Sequence, residues 1–447
     1  MGAVNAVATK PSRNGSLYPI LLVNFVGALG FSIVLPFLVY LVTRLGGNAF
    51  IYGVMGATYS LFQLLGAPVL GRWSDRYGRR NILLLSQVGT FASWAIFLVA
   101  LWLPTRPLVE VHSAVYGTFT LTLPLVVLFL ARALDGITGG NVSVANAYLA
   151  DISTNANRST NFGKMAVAAN LGFILGPAIA GLLGTLSTGE TLPVLAACVI
   201  SLVASLIIAS LLPDTAACML SADPEKVSVR KVLGQDHRPC FQLALGPTVS
   251  TFKVLTLPSV ELLLALHFLV YLAFNLFYVS FPVYAATGIH WSLAQTGVFF
   301  SAMGSMMALV QGPVLKRVSG VWSDRGLVLG GSLVLAVSFP FFGSPNAGAV
   351  YFGTALLALG NGIMWPSLLS ILTKIADLKL QGIIQGLASS VAAAASIIGL
   401  LVGGLLYRHI GPYVFSISAA LTHLTFMLAF LIPPLAQKQR PIATKPR

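Results

Sequence analysis

The sequence predicts an all-α membrane protein, with twelve transmembrane helices in two six-helix bundles related by pseudo-twofold symmetry. Three observations predict it. Hydrophobic residues make up 56% of the 447-residue chain and charged residues only 9%, a balance that a water-soluble globule of this length cannot bury. The mean hydropathy is +0.87, and apolar runs of about 20 residues, the length that crosses roughly 30 Å of hydrocarbon, recur along the chain. One long polar stretch divides these runs into two equal sets.

The runs lie at about 17–42, 51–71, 81–103, 119–149, 163–184 and 193–212 in the first half. The second half has them at about 258–286, 295–315, 326–343, 349–371, 382–406 and 411–434. The expected organisation is therefore an N-terminal tail (1–16), a first bundle (17–212), a central loop (213–257), a second bundle (258–434) and a C-terminal tail (435–447). The central loop holds Asp214, Asp223, Glu225, Lys226, Arg230, Lys231, Asp236 and Arg238.

An even number of spans puts both termini on one side, and the positive residues say which. Of the 26 Lys and Arg residues, Arg44, Arg106 and Arg408 fall in loops on the far side and Arg132 inside a span, leaving 22 on the side of the termini. Positive residues accumulate in short cytoplasmic loops, so both termini are expected in the cytoplasm. The net charge of +14 then reads as membrane topology and attraction to anionic lipid headgroups, with no nucleic-acid partner. Met1–Ser16 is polar and the first apolar run is long enough to span, so no cleaved leader is expected. Cys198, Cys218 and Cys240 show no metal-ligand spacing and read as packing residues.

Internal repeats are expected across the central loop, because many transporters are built from repeats around a midplane site. Trp73-Ser-Asp75-Arg76 follows the second span, and the same four letters, Trp322-Ser-Asp324-Arg325, follow the eighth. Gly163, Gly176 and Gly181 of span five match Gly386, Gly399 and Gly404 of span eleven at a constant offset of 223 residues.

The stretch Gly71-Arg-Trp-Ser-Asp75-Arg76-Tyr-Gly78-Arg79-Arg80 resembles the loop signature of the major facilitator superfamily. Its glycines suit a tight turn at the membrane surface. The resemblance implies a latch between the two halves, with Asp75 capping or pairing across their interface; a plain cytoplasmic anchor is the alternative. The copy from Gly320 to Gly326 keeps Asp324 and Arg325 but lacks the trailing arginine pair.

Span four carries Arg132-Ala-Leu-Asp135-Gly136, similar to the superfamily's fourth-helix pattern of an arginine followed by a glycine four residues on. An arginine at that depth costs on the order of 2.5–3.5 kcal/mol on insertion scales, so it should face a cavity or a partner. Asp135, three residues on, shares nearly the same face. A buried acid beside a buried base can exchange protons with a substrate or the bulk phase, and it can equally form a permanent ion pair that only fixes helix packing. At the end of this helix, Asp151 resembles the acidic exit of span four in tetracycline/proton antiporters, and either gates the interface near Arg76, Arg79 and Arg80 or is an ordinary solvated acid.

Span five reads Gly172-Phe-Ile-Leu-Gly176-Pro177-Ala-Ile-Ala180-Gly181, which resembles the helix signature associated with antiporters, with Ala180 in place of one glycine. Small residues four apart let helices approach closely, and Pro177 bends the helix. Candidates for the substrate cavity are Tyr271, Asn275 and Tyr278 on one face of span seven, Tyr59 and Gln63 on span two, and Asn24 on span one. Aromatic walls with a few amides suit an amphiphilic ligand. His267 is either a proton relay or a structural histidine, and Glu261 is interfacial.

No phosphate-binding loop, CxxC or HExxH occurs, so no enzymatic chemistry is indicated, and no metal or cofactor is expected beyond the proton as coupling ion. Each charge moved through 100 mV supplies about 2.3 kcal/mol, enough to drive accumulation or extrusion. The resemblance implies a monomeric secondary transporter exporting a small amphiphilic drug or metabolite by proton antiport and alternating access, in a bacterial cytoplasmic membrane. An uptake symporter or uniporter for a sugar or organic acid is the alternative on the same fold, and a non-transporting receptor or scaffold is a remote one.

Overall fold

The computed structural model describes residues 17–34, 36–139, 141–153, 157–186, 189–213, 259–375 and 381–433. Backbone groups in hydrocarbon must be satisfied within their own segment, and the apolar runs do this as helices. Span one is Leu17–Ser32, continued beyond a break near Pro36 by Leu38–Arg44. Spans two and three are Ala49–Tyr77 and Arg79–Trp102. Span four is two helices, Leu123–Thr138 and Asn141–Ile152, and spans five and six are Arg158–Leu183 and Thr191–Leu211.

In the second half, span seven is Val260–Thr287 and span eight runs over Leu293–Val318 through a π-helical turn at Val310–Val314 that contains Pro313. Span nine is Asp324–Ser338 with a 3-10 turn to Gly343, and span ten is Ala347–Ile375. Spans eleven and twelve are Gln381–Ile410 and Val414–Ala429, separated by a 3-10 turn at Gly411–Tyr413. The two expected tails, and all of the expected central loop except Pro213, lie outside the described residues, as do Cys218 and Cys240. Cys198 is buried in the first-half core.

Three expectations are corrected. Span four does not begin at 119 but at Leu123: Pro107–Ser113 and Gly117–Thr122 form an antiparallel hairpin ahead of it, a small addition to an α-helical membrane fold. Thr118, Thr120 and Thr122 alternate along the second strand, a β-branched pattern that favours pleated structure, and Gly117 supplies the turn at φ +89°. Span two continues as helix to Tyr77, which places Gly71 inside a helix; the turn belongs to Gly78 alone, at φ +92°. The tetrapeptide repeat is not equivalent in structure, because Trp73–Arg76 ends span two whereas Ser323 is the N-cap of span nine, accepting from the Gly326 amide at 3.2 Å.

The glycine repeat is structural. Gly176 packs on span one, where an added Cβ would meet the Leu29 carbonyl oxygen at 2.8 Å, and Gly399 packs likewise on span seven, 2.7 Å from the Asn275 Cβ. One turn further on, spans five and eleven reach the opposite half. A Cβ on Gly297 of span eight would lie 2.7 Å from the Gly181 Cα, and one on Gly404 would lie 2.5 Å from the Ala49 carbonyl oxygen of span two and 3.3 Å from the Gly53 Cα. Each half thus lends span two or eight to the other's span eleven or five.

These contacts lie on the side opposite to where span one begins and span twelve ends. There the apolar core is continuous between halves, since Val279, Val283 and Leu400 join the first-half cluster around Phe37 and Met55. The Tyr40 hydroxyl donates to the Trp291 carbonyl oxygen at 2.7 Å, and the hairpin tip meets span eleven, with His409 Nε2 2.9 Å from the Val115 carbonyl oxygen. Toward the terminal side, the cluster around Tyr148 contains first-half residues alone. A Cβ on Gly71, Gly163, Gly312 or Gly386 would meet nothing within 4 Å. Among the described residues, the halves therefore meet on the far side and part on the terminal side.

The Gly181–Gly297 contact has backbone on both sides and cannot yield to a side chain. In a protein with its native cysteines replaced by serine, Gly297→Val is expected to raise maleimide labelling of a cysteine placed at Ala294 several-fold. Unchanged labelling would show that this contact does not hold spans five and eight together.

Candidate transport site

Arg132 and Asp135 sit on consecutive turns of span four, roughly 14 Å and 18 Å along the helix from its start at Leu123. Arg132 Nη1 donates to Asp135 Oδ2 at 3.0 Å, and both residues are 6% exposed. The arginine-to-glycine spacing has a steric reason. Gly136 lies on the same face as Arg132, and a Cβ there would meet the Tyr59 carbonyl oxygen at 2.5 Å, so its absence lets span four press against span two. That approach seats the Arg132 guanidinium 4.5 Å above the Tyr59 ring. Arg132 Nε is buried without a hydrogen-bond partner. Asp135 has a second side-chain partner in Thr90 of span three. In a low-dielectric interior such a pair is strong while intact, and either charge is costly when left alone.

Gln63 extends this wall, its amide donating to the Tyr59 hydroxyl at 3.1 Å and to the Gly139 carbonyl oxygen at 3.2 Å. Tyr278 of span seven lies within electrostatic reach of Tyr52 and Arg132, so the second half approaches the ion pair. Asn275 donates to Ser396 of span eleven at 3.1 Å, and the Tyr271 ring packs 4.3 Å from that of Trp365 on span ten. Asn24 stands apart, its amide donating to the Met165 carbonyl oxygen of span five at 2.8 Å, which ties two helices of the first half together. Thr90, Tyr52, Ser396 and Trp365 went unremarked in the sequence. Thr90 and Ser396 are hydroxyls among several in mostly apolar helices, and only the pairing of helices reveals what they meet.

Among the described side chains, those of the loop signature are held within each half. Arg79 Nε donates to Asp151 at 3.0 Å and its Nη1 to the Ser74 hydroxyl at 2.7 Å. Arg80 donates to the carbonyl oxygens of Ile208 and Ala209, at 3.4 and 2.5 Å, at the end of span six. The second half repeats this with other residues: Lys374 pairs with Asp324 at 2.5 Å, Ser370 donates to the same carboxylate at 2.9 Å, and Arg325 donates to the Phe430 carbonyl oxygen of span twelve at 2.7 Å. The pair Arg79–Asp151 thus recurs with its charges exchanged, and Lys374 stands 223 positions after Asp151, the offset of the glycines. The side chains of Asp75 and Arg76 lie outside the described residues.

On span five, a Cβ on Gly172 would meet the Phe25 carbonyl oxygen of span one at 2.6 Å, and Ser32 donates to the Gly172 carbonyl oxygen at 2.9 Å. Pro177 lies inside the helix between the glycine that contacts span one and the glycine that contacts span eight. Among the described residues, no three His, Cys, Asp or Glu side chains converge to hold a metal ion.

Two helical bundles closed on one side, with a buried ion pair on the wall between them, define a membrane transporter. The Major Facilitator Superfamily profile matches residues 20–323 and again 263–446, and the chain belongs to that superfamily. It is 26% identical over 435 residues to the class B tetracycline resistance protein of Escherichia coli, covering 95% of this chain and 98% of that protein. It is 28% identical to the class C tetracycline resistance protein of Escherichia coli over 88% of this chain and 90% of the relative. The solved human organic anion transporter MFSD10 superposes with a TM-score of 0.64 at 22% identity, over 94% of this chain and 100% of that structure.

A double-mutant cycle measures the pair. Arg132→Ala, which strands the buried carboxylate, is expected to destabilise the purified protein by roughly 3–5 kcal/mol in denaturant unfolding, and adding Asp135→Ala should recover much of that loss. Additive losses would mean that the two charges do not depend on each other.

Proposed function

We propose that this protein exports a small amphiphilic drug or metabolite across a bacterial cytoplasmic membrane in exchange for protons, with both termini in the cytoplasm. The observation that carries the reading is the buried Arg132–Asp135 pair on the wall facing span seven, in a chain that aligns along most of its length with tetracycline resistance proteins. The weight of Lys and Arg on the terminal side supports the orientation. The terminal-side opening then faces the cytoplasm, where a substrate for export would enter.

The pair has two charge states. With Asp135 ionised, the site is neutral overall; with Asp135 protonated, the Arg132 charge is uncompensated. A cationic or hydrogen-bonding substrate is favoured in the first state and opposed in the second, so substrate and proton exclude one another. Loss of the proton to the cytoplasm on substrate entry, and its recovery from the far side on substrate release, makes each turnover an exchange.

Glycine spacing supports alternating access. Gly53 and Gly71, Gly163 and Gly181, and Gly386 and Gly404 are each separated by 18 residues, five helical turns, so both members of a pair share one face. In span eight the π turn adds most of a residue between Gly297 and Gly312 and restores the same alignment. Each interface helix thus carries one glycine engaged on the closed side and one free on the open side, which is the arrangement needed to close the terminal side when the far side parts.

Two experiments test the proposal. In liposomes with an imposed pH gradient, wild-type protein is expected to drive amphiphilic dyes such as ethidium against their gradient, and Asp135→Asn to abolish this; transport indifferent to the gradient in both would remove the antiport claim. Gly386→Leu is expected to leave dye binding unchanged, since its side chain has room in this conformation, while slowing efflux at least tenfold. Unaltered efflux would show that this face does not close.

A further inference from the structure

His267 is 3% exposed, lies on span seven, and its Nδ1 is buried with no hydrogen-bond partner. A buried polar atom left unpaired in an otherwise apolar bundle is costly and asks for a partner that the protein itself does not supply. Its ring packs 4.9 Å from Tyr271 and 5.1 Å from Trp365, and those two rings meet edge-on at 4.3 Å. Tyr271 and Trp365 are half-buried. The same face of span seven continues through Asn275 to Tyr278, which interacts with Arg132. Tyr271 to Tyr278 is seven residues, so the three-ring cluster lies about 10 Å from the level of the ion pair, toward the open side.

We infer that His267, Tyr271 and Trp365 form a binding subsite for a hydroxylated aromatic ring of the substrate. The inference rests on the transport reading above and specifies one end of its ligand. The rings are mutually packed, with centroids 4.3–5.1 Å apart, so a cation has no room among them. The partly exposed rings of Tyr271 and Trp365 offer surface against which one more planar ring can stack. A hydroxyl on that ring both donates and accepts, so it completes Nδ1 in either tautomer of the histidine. The 10 Å span to Arg132 and Asp135 fits an elongated or fused-ring molecule with its polar or charged end at the ion pair and a phenolic end at His267.

The test is equilibrium binding to purified protein, without any gradient, of umbelliferone and its methyl ether, which differ in one hydroxyl. Wild type is expected to prefer the hydroxyl compound by about tenfold, the scale of one buried hydrogen bond. His267→Phe, which keeps the ring and removes the nitrogen, should abolish that preference. His267→Asn, with an acceptor near the Nδ1 position, should retain part of it and guards against a folding artefact. Tyr271→Ala should weaken both compounds alike. An undiminished preference in His267→Phe, or equal binding of the two compounds by wild type, overturns the subsite. Neither outcome touches proton coupling, which is judged on Asp135→Asn in liposomes.

Discussion

A guanidinium inside a membrane has few tolerable surroundings, and much of this fold can be derived from providing one. Arg132 lies on the tyrosine ring of span two and against the carboxylate one turn along its own helix. Both contacts require spans two and four to be nearly in backbone contact, which Gly136 permits on one helix and Gly66 on the other, where a Cβ would meet the Ile137 carbonyl oxygen at 2.2 Å. Thr90 then brings span three to the carboxylate, and Tyr278 brings the second bundle to the arginine. One buried charge thereby organises four helices from both halves. Its cost is offset only while Asp135 is ionised.

The same economy of small side chains governs the interface between bundles. Glycines at corresponding places in spans five and eleven first pack on the neighbouring span of their own half and then on a helix of the other. The bundles are joined on one side by close backbone contacts at these glycines and by a small apolar cluster in which Val279, Val283 and Leu400 meet the first half. The network that fixes each half internally is polar and lies at its terminal-side rim, where Arg80 and Arg325 hold the ends of spans six and twelve. Rigid halves with a slight seam are what a rocking motion requires.

Much of this was legible in the sequence. Twelve apolar runs, the offset of 223 and the Arg132–Asp135 spacing each rest on local periodicity, and helices in lipid obey it closely. The hairpin before span four was missed because its second strand is apolar enough to read as the beginning of the next helix. A glycine in a loop signature suggests a turn at Gly71, whereas the helix of span two runs on through it to Tyr77. The cavity wall was half visible: a stripe on span seven follows from spacing, but Trp365, Thr90 and Ser396 join it only through the packing of helices distant in sequence, which no single-helix pattern encodes.

Proton exchange at this site requires Asp135 to give up a proton when substrate binds. Titration of the purified protein with ethidium in weakly buffered solution, at a pH low enough that the free protein carries a proton on Asp135, followed by a pH indicator, measures this directly. Release of close to one proton per dye bound by wild type, and none by Asp135→Asn, is the predicted result. Equal release by both proteins, or binding by wild type without release, would contradict it.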